Sequence, residues 1–266
     1  MIILEDIINF LKNRFPEELQ ESWDNVGLMA GDESLEINKA LICLDVTSDV
    51  VKEAIDFGAD LIISHHPLIF SPLKNITEDG AVGSMLLQLI KNGIAVYSMH
   101  TNFDKADGGL NDILSEKLGL INVRKYKEEE LLGRDGKNVD NIGRVGMLEF
   151  PMAFDDFADF VKASLDCRAM KVFGSGEETV QTIAVCSGGG GNMLPAAYNS
   201  GADVYLSGDL GHHHAQTAAE MGLNLIDAGH FETENIICDF LYDLLGMEFP
   251  DLLIKKSDVE PYWRNV

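Results

Sequence analysis

Residues 40–64 read ALICLDVTSDVVKEAIDFGADLIIS, and residues 183–207 read IAVCSGGGGNMLPAAYNSGADVYLS. The two stretches lie on one another without a gap. Cys43 falls on Cys186, Gly58-Ala59-Asp60 on Gly201-Ala202-Asp203, and Ser64 on Ser207. Both open and close on short runs that are apolar throughout rather than alternating, the pattern of strands covered on both faces. Downstream, each copy continues as helix, glycine and strand, and then as a histidine with an acid four residues on. These pairs are His100 with Asp104 and His230 with Glu234. Any two βαβ units look somewhat alike, but the constant offset and the shared Gly-Ala-Asp point to a duplication.

Outward from the repeat, helix-spaced and strand-like patterns alternate. Ile7, Ile8, Leu11 and Phe15 share one helical face, as do Val82, Met85, Leu86 and Leu89, with Gly93 placed to end that helix. Further stripes are Leu110/Ile113/Leu114, Phe157/Phe160/Val161 and Ile236/Ile237/Phe240/Leu241/Leu244. Between them lie the apolar runs 40–44, 59–63, 94–99, 182–187, 203–207 and 223–227. The expected fold class is α/β: two related lobes from an internal duplication, with mostly parallel sheets and helices packed on them. The expected bounds are 1–124 for the first lobe, a polar connection over 125–141, and 142–266 for the second.

The chain has 266 residues, 46% hydrophobic and 24% charged, the composition of a globular protein with a sizeable core. Its apolar runs are strand-sized, far short of the ~20 residues that span a bilayer, so no membrane association is expected. The opening MIILEDIINFLKNRF lacks a basic segment and a small-residue cleavage site, which argues against a signal peptide. Cys43, Cys167, Cys186 and Cys238 form no CxxC pair, pointing to core thiols and a cytoplasmic setting. A net charge of −24 repels phosphate backbones, which argues against nucleic acid as a partner. The same charge suits a protein that collects cations, although by itself it reads first as a solubilising surface.

All seven histidines follow an apolar strand pattern: His65 and His66, His100, the run His212-His213-His214, and His230. In open α/β sheets, ligands bind beyond the carboxyl ends of the strands, where the connecting loops converge. Histidines gathered at such ends, joined by Asp104 and Glu234, read as a metal site, expected in the cleft between the lobes. Nitrogen and oxygen donors without thiolate suit zinc, iron, manganese, cobalt or nickel. Of His212, His213 and His214, one or two at most can face a common cleft. The loop CSGGGGN offers two readings: backbone N–H groups of Gly188, Gly189, Gly190 and Gly191 cradle an anion, or the glycines serve only a tight turn. The segment WDNVGL, 23–28, reads by itself as a turn beside the core.

Taken together, WDNVGL (23–28), SHHPLIF (64–70), HTNFD (100–104), SGGGG (187–191), SGDLGHHHAQ (207–216) and DAGHFETE (227–234) resemble one known family over nearly the whole chain. It is that of the GTP cyclohydrolase 1 type 2 homologs, also called NIF-three-like or dinuclear-metal-centre hexameric proteins. The resemblance implies a dinuclear site with His65, His66, Asp104, His230 and Glu234 as ligands of two divalent transition-metal ions, Glu234 bridging. It also points to His213 as a site-lining residue that moves protons. Apart from the resemblance, His100 is a second acid–base candidate, because a free imidazole titrates near ~6.5. A toroidal homohexamer is implied, of the compact form without the domain some relatives insert between the lobes.

The chemistry expected is metal-assisted hydrolysis of a small molecule, a nucleotide among the candidates, with GTP ring opening as its most specific form. A metal-dependent phosphoesterase and a non-enzymatic metal- or partner-binding scaffold are the alternatives.

Overall fold

The computed structural model describes residues 1–133, 136–174 and 176–262. The chain begins with α1 (Leu4–Arg14), β1 (Gly27–Ala30), β2 (Lys39–Cys43) and α2 (Ser48–Phe57). It continues through β3 (Leu61–Ser64), α3 (Ala81–Asn92), β4 (Ala95–Ser98) and the one-turn helix α4 (Thr101–Lys105). Next come α5 (Leu110–Lys117), β5 (Ile121–Arg124), β6 (Arg144–Ala153), α6 (Phe154–Ser164) and β7 (Lys171–Phe173). The second copy of the repeat supplies β8 (Thr179–Val185), α7 (Leu194–Asn199), β9 (Val204–Ser207), α8 (His212–Met221) and β10 (Asn224–Asp227). A short helix α9 (His230–Glu234), the long α10 (Ile236–Glu248) and β11 (Leu253–Lys256) complete the fold.

These elements form two compact units, one of Met1–Ala106 with Ile237–Tyr262, the other of Asp107–Ile236. The first holds a five-stranded sheet in the order β1-β4-β3-β2-β11, and the second a six-stranded sheet in the order β5-β6-β8-β9-β10-β7. At the centre of each is a parallel triplet with helical crossovers, β2-β3-β4 in one and β8-β9-β10 in the other. An antiparallel strand closes the third strand's free edge in both, β1 against β4 and β7 against β10. The duplication is thus a three-strand α/β core. The second sheet carries antiparallel strands on its other side too, β6 against β8 and β5 against β6, so it is mixed rather than mostly parallel.

The repeated Gly-Ala-Asp has the same use twice. Gly58 and Gly201 take left-handed φ of 69° and 76°, which lets the chain turn from helix into strand. One carboxylate oxygen of Asp60 accepts the backbone N–H groups of Asn38 and Lys39 where β2 begins. Asp203 does the same for Gln181 and Thr182 on β8. Asp60 clamps the starts of β2 and β3, and Asp203 ties the start of β9 to the middle of β8, so each acid holds the register of two neighbouring strands.

The bounds of the units differ from those read in sequence. β5 bonds to β6, so residues before 124 already belong to the second unit. The chain returns to the first unit at its end, where β11 pairs with β2 and Phe240 of α10 packs against Phe15 and Phe103. Within the expected connection, 125–141, there is a 3-10 turn at Glu128–Glu130 and a bridge between Leu132 and Asn138. Arg134 and Asp135 lie outside the described residues, as do the last four residues of the expected second lobe.

All four cysteines are free and buried. Burial, aided by nearby acids, pushes the thiols of Cys167 and Cys238 up to about 12, so they pack as apolar groups. Among the described residues no helix is long and apolar enough to cross a membrane.

Candidate metal centre

Every histidine sits beyond the carboxyl end of a central parallel strand: His65 and His66 after β3, His100 after β4, His212–His214 after β9, and His230 after β10. In the first unit the exit from β3 is fixed by Ser64, whose Oγ lies 2.8 Å from Ser98 Oγ and donates to the His66 carbonyl at 2.9 Å. His65 is fully buried, with Nδ1 2.8 Å from the carbonyl oxygen of Met99. A carbonyl can only accept, so Nδ1 carries the proton and Nε2 the lone pair. His66 Nδ1 lies 2.7 Å from Asp45 Oδ1, and His100 Nδ1 lies 2.8 Å from Asp24 Oδ1.

Three imidazoles are therefore held by an acceptor on Nδ1, and Nε2 is what each has to offer. One ring nitrogen from each lies within 4.8 Å of the other two. Ring centroids are 5.1 Å apart for His65–His66, 5.2 Å for His65–His100 and 5.4 Å for His66–His100. His65 Nε2 also stands 3.6 Å from Asp104 Oδ1, on α4. Two acceptor atoms at that separation in a buried place are stabilised by a cation that both can share. This donor set fits a divalent transition metal, with imidazoles pre-oriented as metal ligands commonly are.

Asp24 is the best-anchored of the orienting acids. Its other oxygen accepts the Thr101 backbone N–H at 3.0 Å and a short hydrogen bond from the Thr101 hydroxyl. Burial alone raises a carboxylic acid, but the hydrogen bonds from His100 and Thr101 outweigh it and hold Asp24 down at about 2.

In the second unit the pattern is repeated with different residues. His230 Nδ1 lies 2.8 Å from Asp209 Oδ2, and its Nε2 lies 2.9 Å from Glu234 Oε2 one helical turn on. Asp209 adopts φ of 54°, a left-handed conformation uncommon outside glycine. Glu234 is buried and His230 partly so.

The glycine loop lies against this pair. A Cβ on Gly188, which has φ of 60°, would run into the Glu234 carboxylate and approach His230 Nε2. Its N–H donates to Thr233 Oγ1 at 3.0 Å, and the Gly190 N–H donates to Ser207 Oγ at 3.0 Å. Gly191 packs under the His214 ring, and Asp209 is the residue that a Cβ on Gly189 would meet. With two N–H groups engaged by the protein and two acids nearby, close packing accounts for these glycines better than an anion cradle does.

The histidine run divides its work. His214 Nδ1 accepts the Gly211 N–H at 3.1 Å and so caps the start of α8. His212 and His213 are exposed on the first turn, their rings 5.4 Å apart.

The structure thus brings His65, His66, His100 and Asp104 together in the first unit, and His230 and Glu234 in the second, while His213 stands exposed. Sequence reasoning missed Asp24, Asp45 and Asp209. Two of these lie inside motifs already singled out, Asp24 in WDNVGL and Asp209 in SGDLG, and the third is the second residue after β2.

A family model described as Duf34/NIF3 (NGG1p interacting factor 3) matches residues 2–261. A protein from Clostridium perfringens named GTP cyclohydrolase 1 type 2 homolog is 40% identical over 234 residues, covering 87% of this chain and 86% of that protein. Among solved structures, a Bacillus cereus protein related to NIF3 superposes with a TM-score of 0.86 at 28% identity, covering 100% of this chain and 99% of that one. Reduced HcgD from Methanocaldococcus jannaschii superposes with a TM-score of 0.82 at 34% identity, covering 97% and 98%.

Proposed function

We propose, from the premise that this chain belongs to the Duf34/NIF3 family, that it is a dinuclear metal-dependent hydrolase of a small molecule. In this reading His65, His66, Asp104, His230 and Glu234 would hold two divalent transition-metal ions. The observation that supports it most is the convergence of His65, His66 and His100, each with Nδ1 already committed to an acceptor. Two such ions would supply Lewis acidity there, the chemistry that activates a water and offsets negative charge on oxygen.

The chain's own residues do the rest. Asp45 and the Met99 carbonyl orient His66 and His65, and Asp209 orients His230. His100, braced by Asp24, presents Nε2 as the group that holds or moves a proton during hydrolysis. His213, exposed at the start of α8, is the second candidate for proton transfer.

The name carried by the Clostridium perfringens relative makes GTP ring opening the first reaction to try. Its phosphates would depend on the ions, since the N–H groups of Gly188 and Gly190 donate to Thr233 and Ser207. The proposal includes assembly as a homohexamer, which sedimentation would test.

The primary test is metal content per chain of untagged protein beside a His65→Ala/His66→Ala double variant. About two ions in the wild type, largely lost in the double variant, support the site. A wild type that stays empty after reloading overturns it. Glu234→Gln should then abolish turnover with assembly unchanged. GTP giving phosphate but no opened base would leave phosphoester cleavage in place of ring opening.

A further inference from the structure

The segment WDNVGL makes three separate attachments. Asp24 is tied to His100 and Thr101, as described. Next to it, Asn25 Nδ2 donates to the carbonyl of Ile69 at 2.5 Å, in the loop that follows His65 and His66. Between the strand-end loops so joined stand two aromatic rings. Trp23 and Phe70 have centroids 6.0 Å apart, and lie 6.1 Å and 6.4 Å from the centroid of His100.

These rings are not core. Trp23 is 52% exposed and Phe70 50%, whereas Phe15, Tyr97 and Phe103 in the same unit are buried. A single exposed aromatic needs no explanation. Two of them on different loops, joined by the hydrogen bond from Asn25 to Ile69 and standing beside three converging imidazoles, do. The planes meet at 52°, so they form a corner rather than a parallel sandwich. A flat ligand entering such a corner stacks on one face and presents its edge to the other, the two arrangements aromatic pairs favour.

We propose that Trp23 and Phe70 form a stacking corner for the planar aromatic ring of the small molecule handled at the histidine cluster. This rests on the reading of that cluster as the place where substrate is bound. It narrows the substrate class to compounds that carry a flat, conjugated ring, and it gives the segment WDNVGL a purpose: Trp23 offers the surface, Asp24 sets His100, and Asn25 holds the Phe70 loop. Stacking is indifferent to charge, so the acidic surface does not oppose it.

The test is equilibrium dialysis of the full chain with adenosine and, separately, with ribose, with metal content measured on the same samples. Adenosine should bind and ribose should not. Trp23→Ala should weaken adenosine binding about ten- to a hundredfold, Phe70→Ala somewhat less, and Trp23→Phe should restore most of it. Metal content should stay at the wild-type level in all three variants. Equal adenosine binding by wild type and Trp23→Ala overturns the proposal. So does a Trp23→Ala protein that sediments as a smaller assembly, because the rings would then be covered by a second copy. A wild type that takes up no metal yet binds adenosine through Trp23 defeats the hydrolase reading while leaving the stacking corner standing.

Discussion

The two copies of the repeat share their sheet geometry and differ where chemistry is attached. In both, the third strand leads to a histidine with an acid four residues on, yet only His230 pairs with its acid, Glu234. His100 turns to Asp24 instead, and Asp104 faces His65. The reason is register. Sheet pairing sets Ser64 beside Ser98 and Ser207 beside Asp227, so His100 is the second residue after its strand and His230 the third. His100 accordingly sits at the N-cap of α4, where Gly229 sits for α9. A shift of one residue turns a side chain about 100° around a helix, enough to send two histidines of identical spacing to different partners.

The loop after the first strand shows the same divergence. Where the repeat lays Asp45 on Gly188, the first copy has an acid that orients His66 and the second has a glycine pressed against Glu234. Exchanging these residues is the strongest way to break the comparison. Gly188→Asp places a side chain at left-handed φ where the Glu234 carboxylate already stands. We expect a loss of about 4 kcal/mol, combining backbone strain with overpacking, read by denaturant unfolding. Asp45→Gly removes only an orienting acceptor and should weaken metal binding about 10- to 100-fold with little change in stability. If both exchanges prove mild, the two loops are interchangeable and the asymmetry has no energetic content.

The converse prediction concerns what the copies keep in common. Asp60→Ala and Asp203→Ala each remove a carboxylate that accepts two backbone N–H groups of the neighbouring strand. Hydrogen bonds to a charged group are worth about 1.5–3 kcal/mol each, less where water can substitute. The bond from Asn38 is exposed while both bonds to Asp203 are partly buried. Asp203→Ala should therefore cost about 3 kcal/mol and Asp60→Ala about 2 kcal/mol. Equal tolerance of both by thermal unfolding would mean the shared Gly-Ala-Asp is a relic without a structural task.

These cases also show what the sequence could and could not reveal. The six central strands were legible because each is apolar on both faces, and the histidines stood out because each follows such a run. His65, His66 and Asp104 were legible as candidates for the same reason. The acids behind the imidazoles were not, since one aspartate in a turn has no periodicity and Asp24 looks like any polar turn residue until folding sets it against His100. Register was equally hidden, because His-x3-acid spacing is identical in the two copies and only strand pairing reveals the offset. Nor does DLLIKK announce that β11 rejoins the first sheet, since a short apolar run does not name its neighbour.

Asp24 also permits a pH test confined to the first copy. Its carboxyl is held at about 2 in the folded protein, against an ordinary 3.8. A depressed folded value stabilises the fold above the unfolded value and loses that contribution as pH falls through the folded one. Metal-free wild type should thus lose about 2 kcal/mol between roughly pH 4 and pH 2 that Asp24→Asn does not lose. Parallel acid profiles for the two proteins would show that the bonds to His100 and Thr101 contribute nothing net.

The smallest expected effect separates stability from positioning at Asp209. Its φ of 54° is costly for a residue with a Cβ, and its side chain is more than half exposed, so little packing would be lost on truncation. Asp209→Gly relieves that strain, although glycine also gives the unfolded chain more freedom to lose. The two nearly offset, and the net change in unfolding free energy should stay within about 0.5–1 kcal/mol, with a gain more consistent with strain than a loss. Metal affinity should nonetheless fall, because His230 keeps Glu234 but loses the acceptor that fixes its Nδ1. A variant that is as stable as wild type and binds metal as well would mean Asp209 is held in its left-handed turn for some reason other than His230. One that weakens binding without destabilising the fold would place the strain in the service of the site, as Asp45 serves His66 in the first copy without any strain at all.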